Sequence, residues 1–330
     1  MLRASGKDGV GAMKMRQGSR SPFVLCVVVQ TVIFGLGNVI TKFAYESVTP
    51  LWCMVLRFGL ALAAFALVFG PRMVRELRGA KLADWVPAAA CLAVGYIACN
   101  LALDVTTATN VGFLVALPVV FAPLIAQIVR RVRYPRAMIP FQVAVVGGLY
   151  LLCRNGGSFS FGAGEALSLL SSVAIAGSLV FGEKGLEKLS APTIAGTQIL
   201  AAFVLSAAMA LVVEPVVDVA TLEPAAWGVI VFLAILSTCV TFALQNVALT
   251  GLPSSTVSLL LTGEPVFTAL FSMALLGEFL SIGGWVGAGV ILVAVVGATL
   301  VEGRDGNSEA PLSADMERLV SRLASDSNAR

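Results

Sequence analysis

Ten long apolar runs cross this 330-residue chain, and they fall into two similar blocks of five, about 23–153 and 161–301. Leu114-Val115-Ala116-Leu117-Pro118-Val119-Val120 in the fourth run of the first block matches Leu261-Thr262-Gly263-Glu264-Pro265-Val266-Phe267 in the second. Just upstream, Asn100-Leu101-Ala102-Leu103 matches Asn246-Val247-Ala248-Leu249. Each fifth run carries the same Val-Ala-Val-Val-Gly, at 143–147 and 293–297. Five crossings is an odd number, so the second block enters a bilayer from the opposite face. Many secondary transporters use such inverted repeats to set two alternating gates around one central site.

Each run is long enough for membrane crossing. A hydrocarbon core of roughly 30 Å takes about 20 helical residues at about 1.5 Å each. The expected spans are 23–44, 51–70, 85–103, 108–128, 138–153, 164–181, 192–213, 227–248, 255–276 and 283–301. With 58% hydrophobic and 12% charged residues, the composition excludes an ordinary soluble domain. The fold class is therefore an all-α integral membrane protein of ten transmembrane helices, arranged as two inverted five-helix repeats.

Charge orients the bundle. If the N-terminus is cytoplasmic, nineteen Lys and Arg outside the spans lie on the cytoplasmic side and one, Arg154, on the other. That bias places both termini in the cytoplasm and accounts for the net charge of +3 through topology, with no nucleic-acid partner. Trp52, Trp85, Trp227 and Trp285 each stand near the start of a span, as an interfacial belt requires. The run from Phe23 is too long for a cleaved signal core and reads as the first helix. The organisation is then a cytoplasmic tail at 1–22, repeats at 23–154 and 155–301, and a second cytoplasmic tail at 302–330. Leu312, Met316, Leu319, Val320 and Leu323 suggest a short surface helix in that second tail.

The six cysteines all lie in apolar spans without a CxxC pair and read as packing residues. Histidine is absent, which removes His-based triads and proton relays, and no GxxxxGK[ST] loop is present for nucleotide binding. No cofactor or metal is expected. The partners are a small-molecule substrate and the lipid bilayer of an inner cell membrane. Gly283 and Gly287 form a small-xxx-small pair that leaves a homodimer open.

Several segments resemble the EamA type of the drug/metabolite transporter superfamily. Phe34-Gly35-Leu36-Gly37-Asn38-Val39-Ile40-Thr41-Lys42 resembles its first-helix motif, with Phe34 in place of the usual tryptophan. Pro50 with Arg57-Phe58, the stretch 106–123, and Gly263-Glu264-Pro265-Val266 through Leu276-Gly277-Glu278 resemble its second, fourth and ninth helices. Tyr134 and Phe279 depart from the acidic and basic residues usual at those places. The resemblance implies ten helices in inverted repeats that move small metabolites, often amino acids or related compounds outward.

Glu264 is the sharpest candidate for substrate binding or coupling. It lies about 13 Å into its span, near the midplane, where a charge costs roughly 2.5–3.5 kcal/mol on insertion scales. The matching residue in the first block is Leu117, so the carboxylate is an asymmetric addition to a duplicated frame. Glu264 can hold a substrate amine or carry a proton, or it can bond a neighbouring helix. Arg57 and Lys42, both in the outer half, can together receive an anionic group, but snorkelling is the better account of Lys42 and a structural ion pair is an equal alternative for Arg57. Asn38, Asn110, Gln245 and Asn246 are softer candidates, interhelical bonding being the usual role of such amides. Pro118, Pro123 and Pro265 are candidate hinges. Asp104, Glu214, Asp218, Glu223 and Glu278 are expected at solvated outer ends. The function is a secondary transporter working by alternating access, with proton coupling open. The alternatives are a membrane-embedded enzyme or a non-transporting sensor or scaffold.

Overall fold

The computed structural model describes residues 20–105, 111, 114–131, 136–153, 162–218, 222–277, 281–298 and 300–301. The amphipathic tail pattern at 312–323 and the readings of Asn110, Tyr134, Arg154, Glu278 and Phe279 lie outside the described residues, as do the side chains of Asp104 and Cys153. Among the described residues the secondary structure is helical, with ten principal helices and no strand.

The ten are α1 (Ser21–Tyr45), α2 (Pro50–Gly79), α3 (Val86–Val105), α4 (Pro118–Val129), α5 (Ile139–Cys153), α6 (Ala163–Gly185), α7 (Ala191–Val213), α8 (Pro224–Ala248), α9 (Ser254–Leu275) and α10 (Ile282–Ala298). Six, namely α1, α2, α6, α7, α8 and α9, have the length and hydropathy to cross a membrane, and four shorter apolar helices accompany them. Proline in the first or second position opens α2, α4, α7 and α8, where its missing N–H costs nothing. Gly277, at φ 68°, closes α9 in a left-handed cap that a side chain would strain. Both α4 and α9 are interrupted at the duplicated motif. A turn at 116–117 precedes Pro118, and a turn at 262–263 divides α9 into Ser254–Leu261 and a second half beginning at Glu264. Helix α8 widens into one π segment, Ile235–Val240.

Packing follows a paired scheme. α3 lies on α6 and α7, while α8 lies on α1 and α2; α4 meets α6, while α9 meets α1; α2 meets α7, and α4 meets α9. Phe58, Phe242, Leu92 and Ile199 form the buried centre where α2, α3, α7 and α8 converge. Large apolar side chains such as Leu67, Val212 and Val293 are left on the outside, as a lipid-facing surface requires. Gly148 on α5 meets the Gly287 carbonyl and Ile291 on α10, so the glycine of the small-xxx-small pair is used inside the chain.

Carboxylates fasten the helix ends. Glu214, just past α7, accepts from the Thr49 hydroxyl at 2.6 Å and from the amides of Leu51 and Trp52 at 3.2 Å each. It therefore caps α2 and is half-buried, which corrects the expectation of a solvated residue. Asp218 and Glu223 are exposed, as that expectation had them. Glu76, near the end of α2, accepts from the Ser190 amide at 3.0 Å and its hydroxyl at 2.8 Å, capping α7 in return. Glu183 at the end of α6 accepts the Ser254 amide at 2.9 Å and pairs with Arg130 at 3.4 Å, joining α4, α6 and α9.

Candidate functional site

The site begins with two glycines on α1. A Cβ at Gly35 would lie 2.7 Å from the Phe267 Cβ and 2.8 Å from the Thr268 amide nitrogen, so α1 and the second half of α9 touch backbone to backbone. A Cβ at Gly37 would lie 2.7 Å from the Ser237 hydroxyl, which brings α8 equally close. The next residue, Asn38, is thereby held against both helices. Its side-chain amide donates to Glu264 Oε1 at 2.8 Å and reaches the Thr268 hydroxyl at 3.3 Å.

Glu264 is the first residue of the second half of α9, preceded by the turn and followed by Pro265. A carboxylate there lies against the positive end of a half-helix, which favours its charge. Ten residues into α9, it lies about 15 Å from the helix start, near the middle of the span. Asn38 is exposed and Glu264 half-buried, so the pair is not sealed by protein. Lys42, one turn beyond Asn38 on the same side of α1, is exposed.

Arg57 approaches from α2 and is held by the π segment of α8. Its Nε donates to the Thr238 hydroxyl at 2.7 Å, and its Nη2 donates to the Ser237 carbonyl at 2.6 Å and reaches the Ser237 hydroxyl at 3.2 Å. Thr238 in turn donates to the Leu233 carbonyl at 2.8 Å. Arg57 thus takes neutral partners in place of the structural ion pair weighed from the sequence. Its guanidinium carbon lies 5.9 Å from the centre of the Tyr96 ring on α3. Ser237, which binds Arg57, is also the residue that Gly37 touches, so Arg57 is held next to the stretch of α1 that carries Asn38. Further along α3, Asn100 accepts the Tyr45 hydroxyl at 2.7 Å and donates to the Tyr96 carbonyl at 2.8 Å.

Gln245 and Asn246 sit elsewhere. Gln245 accepts from Gln30 at 2.7 Å, and Asn246 donates to Gln198 at 2.8 Å and to the Phe242 carbonyl at 2.9 Å. Gln198 then donates to Ser178 at 3.0 Å. All five side chains are buried, and they brace α1, α6, α7 and α8 together. The sequence candidates therefore divide: Glu264 and Asn38 are bonded to one another, Arg57 is tied to the same part of α1 through Ser237 and Gly37, Lys42 stands a turn away, and Gln245 and Asn246 belong to the brace. Pro118 and Pro265 mark the interruptions of α4 and α9, whereas Pro123 is buried within α4. Tyr96, Ser237, Thr238 and Thr268 were not singled out from the sequence. The one available signal for Tyr96 was its place four residues before Asn100, matching Phe242 before Asn246.

Comparison with known proteins agrees with this architecture. Residues 162–300 match the EamA-like transporter family. An uncharacterized transporter from Archaeoglobus fulgidus is 30% identical over 269 residues, covering 80% of this chain and 82% of the relative. The uncharacterized transporter YwfM of Bacillus subtilis is 24% identical over 282 residues, covering 83% and 92% respectively. A crystal structure superposes with a TM-score of 0.74 at 20% identity, covering 86% of this chain and 98% of that one, and shares its fold.

Proposed function

The chain belongs to the EamA-like transporter family and is a multi-pass membrane transporter, and from that premise we propose that it moves a small amine-bearing metabolite, an amino acid or related compound, outward across the inner membrane. The observation that carries this reading is the Glu264 carboxylate, half-buried near mid-span and held by the exposed Asn38 at 2.8 Å. A deep carboxylate with one neutral hydrogen-bond donor is fitted to exchange partners, either a substrate ammonium or a proton. A carboxylate serving only to bind helices together would be sealed.

Alternating access between two inverted repeats, 23–154 and 155–301, supplies the mechanism, with the tails at 1–22 and 302–330 in the cytoplasm. Two observations support the repeats. The main packing pairs correspond when each helix is exchanged for the one five places along: α3 on α6 becomes α8 on α1, and α4 on α6 becomes α9 on α1. Asn100 and Asn246 each donate to the carbonyl four residues back. The interruptions beside Pro118 and Pro265 are the places where α4 and α9 can bend as the gates exchange.

Counterflow in proteoliposomes tests the proposal. Vesicles loaded with a mixed amino-acid pool accumulate labelled amino acid transiently, and the accumulation vanishes without the internal pool. Glu264→Gln abolishes it, or removes its pH dependence if the carboxylate carries a proton. Full transport with unaltered pH dependence in that variant would sink the role of Glu264.

A further inference from the structure

We propose that Tyr96 and the free edge of Arg57 form an anion subsite, opposite Glu264, that receives the carboxylate of a zwitterionic substrate. The inference rests on the reading of Glu264 as the amine-binding group and adds the second half of the recognition.

Arg57 is pinned along one edge only. Nε and Nη2 are committed to Thr238 and Ser237, and neither α8 partner is charged. Nη1 has no hydrogen-bond partner among the described residues, and it is not one of the sealed polar atoms. A guanidinium in this state keeps two well-oriented N–H groups on Nη1. It is fixed in place before any anion arrives, so little side-chain freedom is lost on binding.

Tyr96 is the second donor. Its ring is fixed by packing: Phe58 meets it edge-on at 5.5 Å and Phe242 at 5.8 Å between ring centres. The hydroxyl, by contrast, has no partner among the described residues and is not sealed from the surrounding space. A fixed ring with a free hydroxyl, next to a fixed guanidinium with a free edge, is the donor set that a carboxylate accepts from. A neutral group of the same shape takes up less of it, since hydrogen bonds to charged partners are worth about 1.5–3 kcal/mol against about 1 kcal/mol for neutral ones. Asn38, which binds Glu264, follows Gly37 on α1, and Gly37 touches the same Ser237 that holds Arg57. One substrate can therefore present its ammonium to Glu264 and its carboxylate to Arg57 and Tyr96. Phe242 occupies the matching place in the other sequence block and lacks the hydroxyl, so the subsite is one-sided, as the Glu264 carboxylate is.

Purified protein melted in the presence of the twenty amino acids as an equimolar pool, or the matching amino-acid amides, tests this. The full chain is expected to be stabilised by the amino acids at lower concentration than by the amides. In Tyr96→Phe the half-saturating concentration of amino acids rises about tenfold or more, the loss of one charge-assisted bond, and that of the amides rises clearly less. Arg57→Lys keeps the charge but loses the fork and shifts the same way. The Phe variant keeps the packed ring, so misfolding does not obscure the result. Equal shifts for both pools in Tyr96→Phe, or none, overturn the subsite. Wild-type protein stabilised by amides alone overturns it while leaving Glu264 as the amine site. Stabilisation by neither pool overturns both readings.

Discussion

Glu76 and Glu214 lie at opposite ends of the α2–α7 pair, and each, from the C-terminal end of one helix, caps the N-terminus of the other. Glu76 takes the Ser190 amide at 3.0 Å, and Glu214 takes the Leu51 and Trp52 amides at 3.2 Å. In each case a hydroxyl at the cap, Ser190 or Thr49, binds the same carboxylate. Removing either side chain leaves helix amides unsatisfied, so Glu76→Ala and Glu214→Ala are each expected to cost about 1 kcal/mol. The two ends are a helix length apart, so the double variant should lose the sum. Thermal melting in detergent measures it, and a double variant no worse than either single one would contradict independent caps.

Gly35 sets the distance between α1 and α9. Gly35→Ala places a Cβ against backbone and the Phe267 Cβ, neither of which can swing aside, and so separates Asn38 from Glu264. Transport per molecule is expected to fall at least tenfold, a loss of about 1.4 kcal/mol or more in the transport step. Gly289→Ala, where the added Cβ meets nothing within 4 Å, should leave transport unchanged. Equal rates for the two variants would show that the close approach is dispensable.

Asn38 holds one oxygen of Glu264. Asn38→Leu removes that donor without adding charge, and a charge-assisted bond is worth about 1.5–3 kcal/mol. Initial counterflow rates should fall by about tenfold or more while protein level is kept. Asn38→Asp is expected to do worse above neutral pH than below it, because two carboxylates at 2.8 Å share a proton more easily than they both ionise. Indistinguishable pH profiles for Asn38→Asp and wild type would refute this.

Asp84 provides a pH test outside the spans. Its hydrogen bond with Lys188, at 2.7 Å, is the main influence holding the carboxyl below its ordinary range, helped by the Lys81 amide. A carboxyl lowered on folding adds stability above its ordinary value, and that stability is lost as pH falls through the folded value. The melting difference between wild type and Asp84→Asn should be full at neutral pH and close below about pH 4. A difference that widened on acidification would reverse the sign and exclude this origin.

Sequence alone determined the membrane class, the span positions and the depth of Glu264. Hydrocarbon thickness fixes how many apolar residues a helix needs, and proline at 50, 118, 192 and 224 marks where helices start. Depth along a helix is countable, so Glu264 could be placed near mid-span without any partner. Which face each residue turns, and toward what, was decided by the tertiary structure. In water an apolar stripe reveals the buried face, but lipid is as apolar as a protein core, so the stripe is lost from these helices. Gln245 and Asn246 are neighbours in sequence, yet about 100° of helical turn sends one to Gln30 and the other to Gln198. Asn38 finds Glu264 across 226 positions of chain. Arg57 finds its cradle in a π turn that no local pattern in Ile235–Val240 announced. Those meetings depend on how ten helices pack, which is the one property that counting residues along each helix does not contain.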